Sequence, residues 1–236
     1  MKICIYNNKG GVGKSTLSSS IAFRAIERKI PLTLVDNDHQ SNSIKWLSRD
    51  TWNGEESYMV PDSKVLVTRN ADEINNYRGN ELLIVDAPPE YDYIQKFVGI
   101  DIWIVPIKGR FSLDGAANVV SGLRALGRGN ERVVFVSNNT DLTSELGRKQ
   151  IDEAKKMGTE IYRYVIGRHI SFEKAEDMLC SVWEVPYAQR SGAVQALMLF
   201  TDWVLKGCPE RATYGENIKE TVSPQILSRV SRYGTY

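Results

Sequence analysis

The segment Lys9-Gly10-Gly11-Val12-Gly13-Lys14-Ser15-Thr16 carries the residue types that bind phosphate. Glycines let a backbone bend so that several N–H groups face one anion. A lysine meets phosphate as a point charge, and a serine hydroxyl can ligate Mg2+. Against the pattern Gly-x-x-x-x-Gly-Lys-Ser/Thr, the chain has Asn8 at the first glycine and keeps Gly13, Lys14 and Ser15. Lys14 is expected at the β- and γ-phosphates of a nucleotide and Ser15 on the metal. Gly10, Gly11, Val12 and Gly13 would wrap the phosphates. Thr16 is grouped with them, although its plainer role is to start the following helix. A glycine turn without a ligand is the bland alternative, and it leaves the Lys-Ser pair at a helix start unused. Lys9 is a second lysine in a loop that needs only one. It is either a solvated side chain or a lysine that reaches the phosphates of a partner's nucleotide.

Those residues need a scaffold, and the chain supplies one. Ile3 to Tyr6, Leu32 to Val35, Glu81 to Val85, Ile102 to Val105 and Val133 to Val136 are short apolar runs that read as strands. Leu17 to Arg28, Ser41 to Leu47, Leu113 to Leu126 and Ala193 to Leu205 read as helices. Continuous apolar strands that alternate with helices imply a mostly parallel central sheet covered on both faces, an α/β class. Ligands of such sheets bind at the carboxyl ends of the strands. Asn7 to Ser15, Asp36 to Gln40 and Asp86 to Pro89 follow three of the strands and should open onto one crevice. By position Asp36 would support Mg2+ through its water shell, and Asp86 would face it from a buried strand end. Each aspartate alone could equally cap a helix or a turn. Trp52 to Lys64 reads as a surface loop that leads to a strand at Val65 to Val67.

A length of 236 residues fits one large domain, here 1–206, followed by a polar tail, 207–236, that is helical or partly disordered. Net charge is +1, so any nucleic-acid surface must be a local patch. Cys4, Cys180 and Cys208 have neither metal-ligand spacing nor a disulfide pattern, and Cys4 reads as a small core residue. No apolar run approaches the ~20 residues of a membrane span, and the start shows no leader. A cytoplasmic location is expected.

Lys9 to Thr16 closely resembles the deviant Walker A motif of the ParA and MinD ATPases. Asp36-Asn37-Asp38-His39-Gln40 resembles the Asp-x-Asp-Pro-Gln segment of ParA proteins, with His39 in place of proline. Leu83 to Pro89 resembles the Walker B strand and its switch. Val105-Pro106 with Ser112 to Leu126 resembles the strand–helix unit that follows. Ile166-Gly167-Arg168 with Phe172 to Ala175 resembles a late Ile-Pro-Arg…Glu-Ala stretch, with Gly167 replacing proline. The resemblance covers about Lys2 to Leu205. It implies a P-loop NTPase fold, ATP and Mg2+ as cofactors, and slow, partner-stimulated ATP hydrolysis. It implies that Lys9 acts across a face-to-face ATP-bound homodimer and that Asp38 is the carboxylate that orients water. Lys9, Lys14 and Asp38 would then form the catalytic set, with Ser15, Asp36 and Asp86 on the metal. His39 is expected to be a loop histidine without a proton-carrying role. A polar residue after the strand Val133 to Val136 would contact adenine. Asn138 is the first choice and Asn139 the second, against a turn that uses asparagine's tolerance of left-handed backbone.

Within that family the first expectation is a ParA-like partition or positioning ATPase, nucleoid-associated through non-specific DNA binding, with a ParB-like adaptor or cargo protein. Arg163, Arg168, Lys174 and Arg190 would contact DNA. The span from Arg148 to Arg168 also holds Lys149, Lys155 and Lys156, against Asp152, Glu153 and Glu160. That excess is either a phosphate-binding patch or a solvated helix face. The alternative is a MinD-like membrane-cycling ATPase. Ile226, Leu227, Val230 and Tyr233, with Arg229 and Arg232, would be its short amphipathic tail, although tail packing explains the same spacing. Two terminal tyrosines, Tyr233 and Tyr236, are too few for a bacterial-type tyrosine kinase. Three scattered cysteines do not match a nitrogenase-reductase cluster.

Overall fold

The computed structural model describes residues 1–141, 144–157 and 159–209. The first apolar run forms β1 (Lys2–Ile5), and the glycine-rich loop leads into α1 (Lys14–Arg28). Next come β2 (Leu32–Asp36), α2 (Asn42–Leu47), β3 (Ser57–Met59), β4 (Val65–Thr68) and α3 (Asp72–Asn76). Then come β5 (Leu82–Asp86), α4 (Tyr93–Lys96), β6 (Ile102–Ile107), α5 (Arg110–Ala125), β7 (Arg132–Thr140) and α6 (Glu145–Lys156). β8 (Glu160–Ile161), β9 (Ile166–Gly167), α7 (Ser171–Asp177) and α8 (Gly192–Leu205) follow.

The strand order is β3-β4-β2-β5-β1-β6-β7-β8, with β9 beside β7. All pairings are parallel except β3 with β4. Side chains alternate between two apolar layers, as the strand period of two demands. Ile3 and Ile5 join Leu34, Ile84, Ile104 and residues of α1 and α8 on one face. Cys4 and Tyr6 join Val85, Trp103, Val105 and residues of α5 on the other. The expected fold class, a mostly parallel sheet between helices, is what the chain forms.

Three details differ from the sequence expectation. The Trp52 to Lys64 segment contains β3, an edge strand whose Ser57 Oγ donates to Thr68 Oγ1 at 2.8 Å. Half of such a strand faces water, so no apolar run marks it. α1 starts at Lys14, three residues before the apolar pattern, because its first turn is polar. Cys208 is buried, and Pro209 O accepts from Trp203 Nε1 at 3.0 Å, so the first residues assigned to the tail pack on the body. The spaced residues Ile226, Leu227, Val230 and Tyr233, Arg229 and Arg232, and Tyr236 lie outside the described residues. Among the described residues no helix is long and apolar enough to cross a membrane.

Candidate functional site

The loop after β1 is held from several directions. Gly11 and Gly13 sit at φ +69° and +89°, where a side chain is strained, and a Cβ on Gly13 would stand 2.2 Å from Asn138 Nδ2. Asn138 Nδ2 donates to Val12 O at 2.8 Å. Asn7 is fully buried, and its Nδ2 donates to Pro106 O (2.9 Å) and Ser112 O (3.1 Å). Its Oδ1 accepts from Lys9 N at 3.0 Å. Gly115 of α5 makes room for this turn, since a Cβ there would lie 2.2 Å from Asn7 Oδ1 and 2.5 Å from Asn8 Oδ1. α1 begins with no side-chain cap and no acidic residue in its first turn. Its N–H groups and positive dipole end are therefore open to an anion.

The two loop lysines differ. Lys14 is buried, and its Nζ donates to Lys9 O at 3.1 Å. Burial lowers its pKa, while the charges of Asp86 and Asp38 act to raise it. Lys9 is exposed, and its ammonium has no hydrogen-bond or ion-pair partner among the described residues.

Asp36 and Asp86 are register neighbours on β2 and β5, and Ile5 of β1 is the neighbour of Asp86 on its other side. Asp36 Oδ2 accepts from Ile44 N at 2.9 Å, and Asp86 Oδ2 accepts from Ser43 Oγ at 2.7 Å. The other oxygen of each carboxyl is buried and has no hydrogen-bond partner among the described residues. Burial, followed by the charge of Asp36, pushes Asp86 up to about 7, against the Ser43 and Ser15 hydroxyls and Lys14. Burial also raises Asp36, against the N–H groups of Ile44, Asp38 and Ser43. Two neighbouring buried carboxylates need a cation or a proton. The donor set is the Ser15 hydroxyl and two unpaired carboxylate oxygens beside the phosphate loop. It suits Mg2+, which keeps waters and shares its ligands with phosphate. Among the described residues no group of three or more His, Cys, Asp and Glu could cage a metal.

This carboxyl pair has a measurable consequence in nucleotide-free protein with chelator. Folded Asp86 holds its proton up to about pH 7, whereas its ordinary value is 3.8. Between those values the folded chain binds more protons than the unfolded chain, so stability falls as pH rises across that window. Asp86→Asn should therefore melt several degrees above wild type at pH 8, for an effect on the order of a few kcal/mol. Near pH 4 the two should melt together. A variant that melts below wild type at pH 8 would contradict this electrostatic account.

Asp38 is half-buried near Lys14, with Oδ1 accepting from Gln40 N at 3.0 Å. Its neighbours tie the segments after β2 and β5 together. Asn37 N donates to Asp86 O (3.0 Å), Asn37 Nδ2 to Tyr93 Oη (3.1 Å), and Tyr6 Oη to Glu90 O (2.6 Å). His39 is exposed, 3.5 Å from Glu90 Oε1. The three segments expected to converge thus meet, bringing Gly10 to Thr16, Asp36, Asp38 and Asp86 together. Asn138 lies beside them with Oδ1 buried and unbonded, and Asn139 takes the left-handed backbone at φ +51°.

The four arginines and lysines assigned to DNA lie elsewhere. Arg168, Lys174 and Arg190 are exposed, whereas Arg163 is half-buried over the Tyr164 ring. Gly167 packs on α8, where a Cβ would stand 3.5 Å from Ala193 Cβ. Glu173, Glu176 and Asp177 share α7 with Lys174. On α6, Lys149 pairs with Glu145 (2.6 Å) and Lys155 with Asp152 (3.5 Å), which makes that helix a largely self-compensated surface. Sequence reasoning missed Asn7, Ser43 and Lys108. Lys108 follows β6 at the same sheet edge, so the strand-end rule would have found it.

A family model for the CobQ/CobB/MinD/ParA nucleotide binding domain matches residues 3–179. Three solved structures are similar in fold. The MinC:MinD cell division protein complex of Aquifex aeolicus gives a TM-score of 0.69 at 17% identity, covering 90% of this chain and 99% of that one. An ATP complex of a McdA variant from Cyanothece gives 0.63 at 15%, covering 93% and 99%. Cobyrinic acid a,c-diamide synthase from Mycobacterium smegmatis, with bound ADP and magnesium, gives 0.61 at 15%, covering 92% and 100%. None of the curated proteins compared matches this chain.

Proposed function

The chain belongs to the CobQ/CobB/MinD/ParA nucleotide-binding family, and on that premise we propose that it is a ParA-like ATPase. In this reading residues 1–206 form one ATPase domain. Its ATP-bound form is a face-to-face dimer that binds DNA without sequence preference and positions a cargo through a ParB-like adaptor. The observation that carries the proposal is the pair of loop lysines. Lys14 is already the buried lysine of the cradle, and Lys9 stands exposed beside it, its ammonium without a partner among the described residues.

The residues have distinct tasks. Gly10 to Thr16 and the open start of α1 bind the phosphates of ATP. Ser15, Asp36 and Asp86 hold Mg2+, which supplies charge neutralisation at the phosphates when bound. Asp38 orients the attacking water, and hydrolysis yields ADP and phosphate. Asn138 borders the nucleotide on the side of β7. Lys9 reaches the partner's nucleotide. Turnover is slow because the loop that carries Asp38 waits for a partner to complete the site.

DNA binding follows from patches that only a dimer makes continuous, since the net charge is +1. Gel retardation should show wild type with ATP shifting any duplex at low salt, and little shift with ADP. Affinity should fall steeply with salt. Arg168→Glu should weaken binding to every sequence, leave the ATP-dependent dimer intact, and shallow the salt slope by about one per lost phosphate contact. If wild type with ATP retards no duplex but floats with anionic vesicles, the MinD-like alternative replaces the DNA reading.

A further inference from the structure

Lys108 stands one residue beyond β6. Its Nζ donates to Gly11 O at 3.3 Å, its side chain is exposed, and among the described residues no carboxylate lies within ion-pair distance. Its backbone is fixed. Lys108 N donates to Ser112 Oγ at 2.5 Å. Gly109, at φ +70°, donates its N–H to the buried Gln150 Oε1 at 2.6 Å. Asn7 ties the start of the phosphate loop to Pro106 O and Ser112 O, on either side of Lys108. The two loops are therefore one unit, and the long stem of Lys108 is the part free to swing.

A neutral carbonyl holds an ammonium less strongly than phosphate oxygens do. Gly11 is itself part of the cradle. We propose that Lys108 is a further phosphate-binding lysine that acts in cis, leaving the Gly11 carbonyl for the phosphate chain of a nucleotide bound to the same chain. This rests on the nucleotide site proposed above. It separates Lys108 from Lys9. Lys108 Nζ already rests on the phosphate loop of its own chain, whereas the Lys9 ammonium has no partner among the described residues and is free to serve a partner chain.

The test measures ATP and ADP affinity by calorimetry at two salt concentrations, with sedimentation confirming that the ADP samples, on which the cis assignment rests, are monomers. Lys108→Gln should weaken binding of both nucleotides roughly tenfold and make it less salt-dependent. Lys108→Arg, which keeps the charge, should stay within about threefold of wild type. Unchanged affinity in Lys108→Gln would overturn the proposal. An equal loss in Lys108→Arg would also overturn it, because that would mark a steric rather than a charge effect. Wild type that binds neither nucleotide would overturn the nucleotide site itself, and this proposal with it. Lys14→Ala, expected to lose binding outright, shows that the assay reads the cradle.

Discussion

Asp38→Ala should lower steady-state ATP hydrolysis by about a hundredfold or more, the usual weight of a group that handles the reacting water. Nucleotide affinity should stay near the wild-type value. The cradle does not depend on this carboxylate, because the loop is held by Asn7, Asn138 and the start of α1. Asp38 hydrogen-bonds only within its own turn, to Gln40 N, so its loss leaves no buried donor behind. Its charge also helps hold Lys14 protonated, but Asp86 does so more strongly. The variant should accumulate as an ATP-bound dimer. A phosphate-release assay beside a binding titration checks both halves. Hydrolysis at the wild-type rate would remove Asp38 from the role assigned to it.

Lys9→Ala should bind ATP about as well as wild type and yet stay monomeric where wild type dimerises. The wild-type side chain is exposed and has no partner among the described residues, so truncation costs the fold little. The backbone of Lys9 matters more to the chain itself: its N–H meets Asn7 and its carbonyl receives Lys14 Nζ, and alanine keeps both bonds. A charge-assisted contact to phosphate in a water-excluded interface is worth far more than a surface pair. Loss of it from both halves of a symmetric dimer should weaken association by at least about a hundredfold. Light scattering behind a sizing column, with ATP and Mg2+ in the buffer, reads this directly. An unchanged dimer would leave Lys9 a solvated lysine.

The parts of the fold that were legible in the chain are those carried by local pattern. Buried parallel strands read as apolar runs, so β1, β2, β5, β6 and β7 and the segments at their carboxyl ends could be read without coordinates. The phosphate loop was legible for a related reason, because its glycines and its Lys-Ser pair are adjacent in sequence. Ser43 was not, since a serine in a short helix gains meaning only when the fold brings it 2.7 Å from Asp86. Asn7 is similar: its partners, Pro106 and Ser112, are far along the chain. β8 and β9 have two residues each and are strands only because β7 pairs with them. The basic excess on α6 looked like a patch in a count of charges. The i,i+4 and i,i+3 spacing of Glu145 with Lys149 and of Asp152 with Lys155 makes much of it internal pairing.

Asp36 shows why one residue can support two readings at once. One of its oxygens accepts from Ile44 N in the first turn of α2, reaching that helix from the end of β2 while Ser41 occupies the N-cap position. The other is buried and has no hydrogen-bond partner among the described residues, and the same holds for Oδ1 of its register neighbour Asp86. Sequence position suggested both tasks, and the geometry gives one oxygen to the helix and leaves the other for the cation proposed above.

The central claim is that the nucleotide sets the oligomeric state. Sedimentation velocity of the wild-type chain with Mg2+ tests it directly, comparing no nucleotide, ADP and a non-hydrolysable ATP analogue. A monomer in the first two samples and a dimer in the third is the predicted result. The same species in all three would contradict the account.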